Sequence, residues 1–234
     1  MEELSDGKRM SSRDLAKLGC HHCEGCSTCC KDQGTVILLD PYDVFRLTKA
    51  LQKDFSALVR EGYVRITIVD GLAQPGLSIR PFYGFRERDG RMRPYRYDSC
   101  VFLSAAGRCN IHEFRPGICR LYPLARLYEG DGFSYILQKD ECTQPDGTKI
   151  RIKNWLGIPE INRYEDFVLR YHRLLKALQP DEEERKDSTY LQKLNFAFLK
   201  LFFMTPYDPD GDFYTDYDAR VLSLRLAGGG LTEA

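Results

Sequence analysis

The stretch CHHCEGCSTCC, residues 20–30, holds five of the chain's nine cysteines, with His21 and His22 among them. C-x2-C recurs in register through Cys20, Cys23, Cys26 and Cys29, and Cys30 follows directly. Two thiolates two residues apart can grip one ion, because a tight turn brings both sulfurs to the same side. The other four, Cys100, Cys109, Cys119 and Cys142, lie in a second segment. Disulfides, a metal centre and a reactive nucleophile are the three chemistries that such thiols can serve.

The cysteine count is odd, and Cys29 and Cys30 could bridge each other only under strain. The first nineteen residues contain no apolar signal-like run, and stretches such as FAFLKLFFM are too short to span a bilayer. A cytoplasmic location without membrane association is therefore expected, and that compartment keeps thiols reduced. A nucleophilic Cys20 or Cys119 would leave the remaining thiols unexplained, so metal coordination leads. Cys23, Cys26 and Cys29 match the opening of a bacterial ferredoxin loop, but the x3-C-P that should follow is missing. Side chains of neighbouring residues diverge on extended backbone, so Cys29 and Cys30 are expected to serve two centres, or two metals of a larger one. These two features put iron, as an iron–sulfur cluster or a multinuclear site, slightly ahead of zinc. Cys119 follows Pro116 closely enough to sit in a first helical turn, where amide dipoles, Arg120 and Arg115 would favour its thiolate.

These residues need elements to carry them. Lys+Arg and Asp+Glu balance at 34 each, which gives no overall field for nucleic acid or anionic lipid. Residues 1–19 read as a polar N-terminal tail, with a short helix available over SSRDLAKLG. Val36 to Leu39 form a β-rich run, and Asp40, Pro41 and Asp43 then mark a helix start. YVRITIVDGLAQPGLSI reads as strand, turn at Asp70-Gly71, strand. In FYGFRERDGRMRPYRY, Asp89-Gly90 predicts a type I′ hairpin. Its interleaved Arg and aromatic residues also suit a nucleic-acid surface. Alternation across the turn explains them as one buried and one solvated face, so nucleic acid is not the expected partner. Beyond residue 160, Tyr164, Phe167, Val168, Tyr171, Leu174, Leu175 and Leu178 recur at helical spacing; a second helix runs through Phe198 and Phe202, and a third over DFYTDYDARVLSLRLA. The aspartates at 208–218 lack the spacing of an EF-hand and read as a surface turn.

The segments CEGCSTCC and CVFLSAAGRCNIHEFRPGICRLYPL, followed by Cys142, resemble the CxxCxxCC, or YkgJ-type, family of zinc- or iron-chelating cysteine-cluster proteins. The resemblance covers about residues 23–142, and it implies as ligands Cys23, Cys26, Cys29, Cys30, Cys100, Cys109, Cys119 and Cys142. Cys20 lies outside that pattern. His112, in the C-x2-H step from Cys109, is expected to pack beside the centre, since similar proteins often carry Tyr there; Cys20, His112, Arg115 and Arg120 are thus candidate extra ligands or supports of the ligand shell. A more distant similarity to the cysteine clusters of flagellin lysine N-methylases implies an iron–sulfur centre and protein methylation.

The expected fold class is α+β: short strands and loops around a cysteine-ligated metal centre, with C-terminal helices packed against it. The expected divisions are a tail at 1–19, a metal-binding domain at 20–155, a helical part at 156–227 and a tail at 228–234. The sequence contains no P-loop, G-x-S-x-G elbow, G-x-G-x-x-G after a strand or H-E-x-x-H. Metal ions are the expected partners. The functions open at this point are an iron or iron–sulfur enzyme that modifies a peptide or protein, a structural zinc module for protein–protein interaction, and a metal carrier.

Overall fold

The computed structural model describes residues 5, 7–18, 27–32, 37–139 and 148–228 of the chain. It is α+β, and it divides into two compact units, each assembled from separate stretches of sequence: 1–37 with 77–157, and 38–76 with 158–234. Among the described residues no helix is long and apolar enough to cross a membrane.

The cysteine-bearing unit is built from paired strands. Strand β1 (Leu15–Lys17) runs antiparallel to β9 (Lys149–Arg151). Where the sequence suggests a polar tail with helical potential, residues 7–18 are instead held in this unit. Met10, Ala16 and Leu18 are buried, Met10 exchanges both backbone hydrogen bonds with Tyr135, and Arg9 grips Glu129 through two 2.7 Å bonds. Charged flanks hide the short alternating burial of Leu15, Ala16 and Lys17 from a helical reading. Strands β7 (Leu124–Glu129) and β8 (Gly132–Leu137) form a hairpin, followed by α4 (Ile152–Leu156) after β9.

The longest feature of this unit is the hairpin of β5 (Ile79–Arg88) and β6 (Arg91–Cys100), with Arg88 opposite Arg91 and Ile79 opposite Cys100. Asp89 and Gly90 both take positive φ, as a type I′ turn requires. The expectation of one buried face fails here. Burial on β6 begins only at Ser99 and Cys100, and Tyr83, Phe85 and Met92 are 73%, 72% and 64% exposed. The sheet has two strands only, so the turn-proximal part has backbone pairing but no third strand or helix among the described residues to cover either face.

The second unit contains α1 (Pro41–Leu51), α2 (Phe55–Arg60) and a sheet of β2 (Ile37–Leu38), β4 (Leu72–Leu77) and β3 (Val64–Val69) in that order. Asp40 caps α1 as the sequence predicts: its carboxylate accepts from the Asp43 N–H at 2.8 Å and the Asp43 carboxylate returns the bond, with Pro41 at the first position. Helices α5 (Ile161–Ala177), α6 (Ser188–Leu199) and α7 (Phe213–Gly228) fall where helical periodicity places them. Phe167 packs edge-on against Tyr217 at 4.8 Å and Phe213 at 5.2 Å and stacks with Tyr171, so this unit has its own aromatic core. Buried Arg220 donates to the carbonyls of Leu201, Thr205 and Pro206 and to the Asp216 carboxylate, which closes the π-helical turn Lys200–Met204 that follows α6. Residues 38–76 lie with these helices although the cysteine segments flank them in sequence, a discontinuity that order along the chain does not reveal.

Candidate metal centre

Cys29 and Cys30 end the 3₁₀ turn Thr28–Cys30, which closes when the Cys30 N–H donates to the Ser27 carbonyl. The next residues lie along the outer edge of β6: Lys31 bridges to Ser99, the Asp32 N–H donates to the Asp98 carbonyl, and the Asp32 carboxylate accepts from the Asp98 N–H and the Tyr95 hydroxyl. The pair is therefore brought to the end of the strand that terminates in Cys100. Beyond it, Leu103 N–H returns to the Cys100 carbonyl, Leu103 bridges to Cys109, and Asn110 N–H donates to Phe102, which folds Cys109 back toward Cys100. Thiols from both cysteine segments thus lie within electrostatic reach of one another.

The sulfurs of Cys29 and Cys30 are 4.0 Å apart. This overturns the expectation that neighbouring cysteines diverge, because the 3₁₀ turn is not the extended backbone on which that rule depends. With metal–sulfur bonds of ~2.3 Å, a tetrahedron sets its sulfurs ~3.8 Å apart, so this pair can share one ion.

The electrostatics couple the four thiols. Cys29 is lowered to about 7, first by the hydrogen bond from the Cys30 thiol and also by Arg115, against burial. Cys30 is pushed far up by that same bond, by burial and by the charges of Cys29, Cys109 and Cys100. Burial raises Cys100, with Cys109 and Cys29 adding to it, while the Phe102 N–H and Arg80 oppose the rise. Burial also raises Cys109, and the Ile111 N–H and Arg115 oppose it. The first thiolate thus suppresses the next, and a bound cation would lift that restraint. The Arg115 Nε is buried without a hydrogen-bond partner among the described residues, an unused cationic donor beside Cys29 and Cys109.

All five described cysteines are free thiols. Cys119 sits in the short helix α3 (Gly117–Leu121), in the first turn after Pro116, as its spacing predicts. Arg120 is 7% exposed, and its guanidinium donates to the carbonyls of Arg115 at 3.0 Å, Leu156 at 3.1 Å and Glu113. It therefore braces the 113–120 turn against α4. His112 is exposed, in the turn His112–Phe114, and burial, Arg115 and Arg120 hold its imidazole below the usual value. Arg80 is a site residue that the motif reading missed. Its signal was the Asp89-Gly90 turn: counting back through the register puts Arg80 opposite Ser99, beside Cys100. The arginines near the turn lie at the other end of the hairpin, ten-residue strands at ~3.3 Å per residue reaching about 30 Å, so they do not border Cys100.

Cys20, Cys23, Cys26 and Cys142, with His21 and His22, lie outside the described residues. Among the described residues no group of three His, Cys, Asp or Glu side chains is close enough to hold a metal ion. The donor chemistry nevertheless suits one: reduced sulfur from separate segments, mutual repulsion that a cation relieves, and an Arg115 Nε that has no hydrogen-bond partner among the described residues.

These features define a multi-thiol domain of the metal-chelating class. Residues 22–146, more than half of the chain, match the CxxCxxCC family, described as a "Putative zinc- or iron-chelating domain", and the chain belongs to that family. No curated protein and no solved structure gives a significant match.

Proposed function

We propose that the chain holds an all-thiolate iron centre of more than one metal, an iron–sulfur cluster or a multinuclear iron site, on Cys29, Cys30, Cys100 and Cys109 together with Cys23, Cys26, Cys119 and Cys142. The observation that carries this reading is that four free thiols from remote segments, with the Cys29 and Cys30 sulfurs 4.0 Å apart, act electrostatically on one another, with Arg115 and Arg80 acting on them. Eight sulfurs exceed one tetrahedron, and cationic neighbours suit the net negative charge of a thiolate-bound iron centre. A centre with an open position on iron supports the modification of a peptide or protein; a cytoplasmic setting would keep its thiols reduced.

The 4.0 Å separation of Cys29 and Cys30 favours a second reading, closed tetrahedral zinc that stabilises an interaction module. A metal carrier would use the same thiols but exchange its ion readily. Anaerobic purification followed by elemental analysis, an absorption spectrum and chelator exchange separates the three. Iron with acid-labile sulfide and visible sulfur-to-iron charge transfer is expected. Colourless protein with stoichiometric, slowly exchanging zinc would refute the iron centre and favour the structural module.

A further inference from the structure

The β5–β6 hairpin has an asymmetry that the metal centre does not use. Antiparallel register with alternating side chains puts Phe82, Arg88, Arg91, Arg93, Tyr95 and Tyr97 on one face. The acidic residues of the strands, Glu87 and Asp98, fall on the other face, and Asp89 occupies the turn. The basic face has flat rings in contact: Phe82 and Tyr97 centroids are 5.0 Å apart, and Tyr95 stacks on Tyr97 at 5.5 Å. Arg88 and Arg91 are exposed directly opposite each other, a like-charge pair that weakens a hairpin unless an anion lies over it. No salt bridge among the described residues involves Arg88, Arg91 or Arg93.

We infer that this face binds single-stranded nucleic acid, its arginines taking the phosphates and its exposed rings stacking on bases. Charge complementarity selects the occupant: the row Arg88, Arg91 and Arg93 has no acidic strand residue on its face, the Asp32 carboxylate reaching that face only at the Tyr95 hydroxyl, and such a row suits a repeating anion. Rings laid among those cations require that the anion also carry planar groups, and a single strand offers both while a duplex hides its base faces. The neutral overall charge does not oppose this, because the positive charge is concentrated locally on the turn-proximal part of the hairpin, where no strand or helix among the described residues covers either face. The face lies on β5 and β6 away from Cys100, so the inference is independent of which metal the centre holds.

The test is fluorescence anisotropy of metal-loaded full-length protein with short labelled oligouridylate and oligothymidylate. Binding should weaken with salt at about −0.7 in log K per phosphate neutralised, giving a slope of roughly −2 to −3. Combined Arg88→Ser, Arg91→Ser and Arg93→Ser should weaken binding at least about tenfold by removing phosphate contacts, and Tyr95→Ala by about fivefold or more through lost stacking. Tyr83→Ser with Phe85→Ser, on the opposite face, should leave it within twofold. Metal content and far-UV circular dichroism confirm folding; should the triple variant not fold, Arg93→Gln with Tyr95→Leu takes its place. Absence of binding at low salt, preference for duplex, equal binding of polyglutamate, binding only of anionic vesicles, or equal losses from both faces would each overturn the inference.

Discussion

Arg120 offers the most exacting test of how the thiol-bearing loop is held. Its guanidinium, almost fully buried, reaches the carbonyls of Arg115, Leu156 and Glu113, with Gly157 at a marginal 3.4 Å. Three good bonds from a charged donor stabilise by ~1.5–3 kcal/mol each before the burial of the charge is set against them. That burial costs several kcal/mol, so replacing Arg120 by Met, which keeps the apolar stem, should lose about 3 kcal/mol. Arg120→Lys should be no milder, because one ammonium cannot reach three separated carbonyls and remains a buried charge. The measurement has a built-in reporter. Trp155, the only tryptophan, lies in α4 and donates its indole N–H to the Tyr122 carbonyl at 3.2 Å, within the same clamp. Urea unfolding of the metal-loaded protein followed by Trp155 fluorescence should show the loss, with less metal retained after gel filtration. A change below about 1 kcal/mol with full metal content would refute the bracing role.

Two further outcomes are accessible. In chelator-stripped protein, alkylation of the Cys29–Cys30 pair should be sequential: the first label, at Cys29, rises with pH through about 7, because the thiolate is the nucleophile, and Cys30 reacts only after alkylation has removed the neighbouring negative charge; mass spectrometry of singly labelled protein at each pH reads the order. Equal partition of the first label between the two thiols, or a midpoint at the ordinary thiol value, would contradict the coupling. Gly71→Ala should destabilise by about 2 kcal/mol or more, read by thermal unfolding, because a Cβ there would lie 2.4 Å from Pro180 Cγ on a residue whose φ is +87°.

Local rules account for most of what was legible in the sequence. The Asp40 cap, the turns at Asp70-Gly71 and Asp89-Gly90, and the apolar stripe Tyr164 to Leu174 each depend on residues close in sequence, and each appears where expected. The missed features depend on partners far away. Residues 10–18 read as a tail because their pairing needs Tyr135 and β9. The hairpin reads as half-buried because a period of two shows which residues share a face, not whether anything covers it. The Cys29–Cys30 separation turns on one 3₁₀ turn, whose dihedrals residue types alone do not dictate. The family's cysteine spacing was visible throughout; the cationic side of the site was less so, since Arg80 becomes a neighbour of Cys100 only through the hairpin register.

The two units also differ in what can stabilise them. The helical unit has an interlocked aromatic core around Phe167 and a fully bonded Arg220, and it needs nothing further to explain its order. Around the thiols, the chain from Val101 to Tyr122 has little regular structure: one bridge, one 3₁₀ turn and the five-residue α3. Loops of this kind leave conformational entropy that few apolar contacts offset. Thiols that are half-buried, as Cys29, Cys30 and Cys109 are, or buried, as Cys100 is, and that suppress one another's ionisation add nothing to stability until a cation joins them. Once it does, the same repulsion becomes attraction to a shared charge, and binding free energy becomes folding free energy for that segment. Arg115 and Arg80 do not replace the cation: burial outweighs Arg115 at Cys109 and Arg80 at Cys100, so both thiols stay above their ordinary value, and Cys30 is raised by the neighbouring thiols themselves.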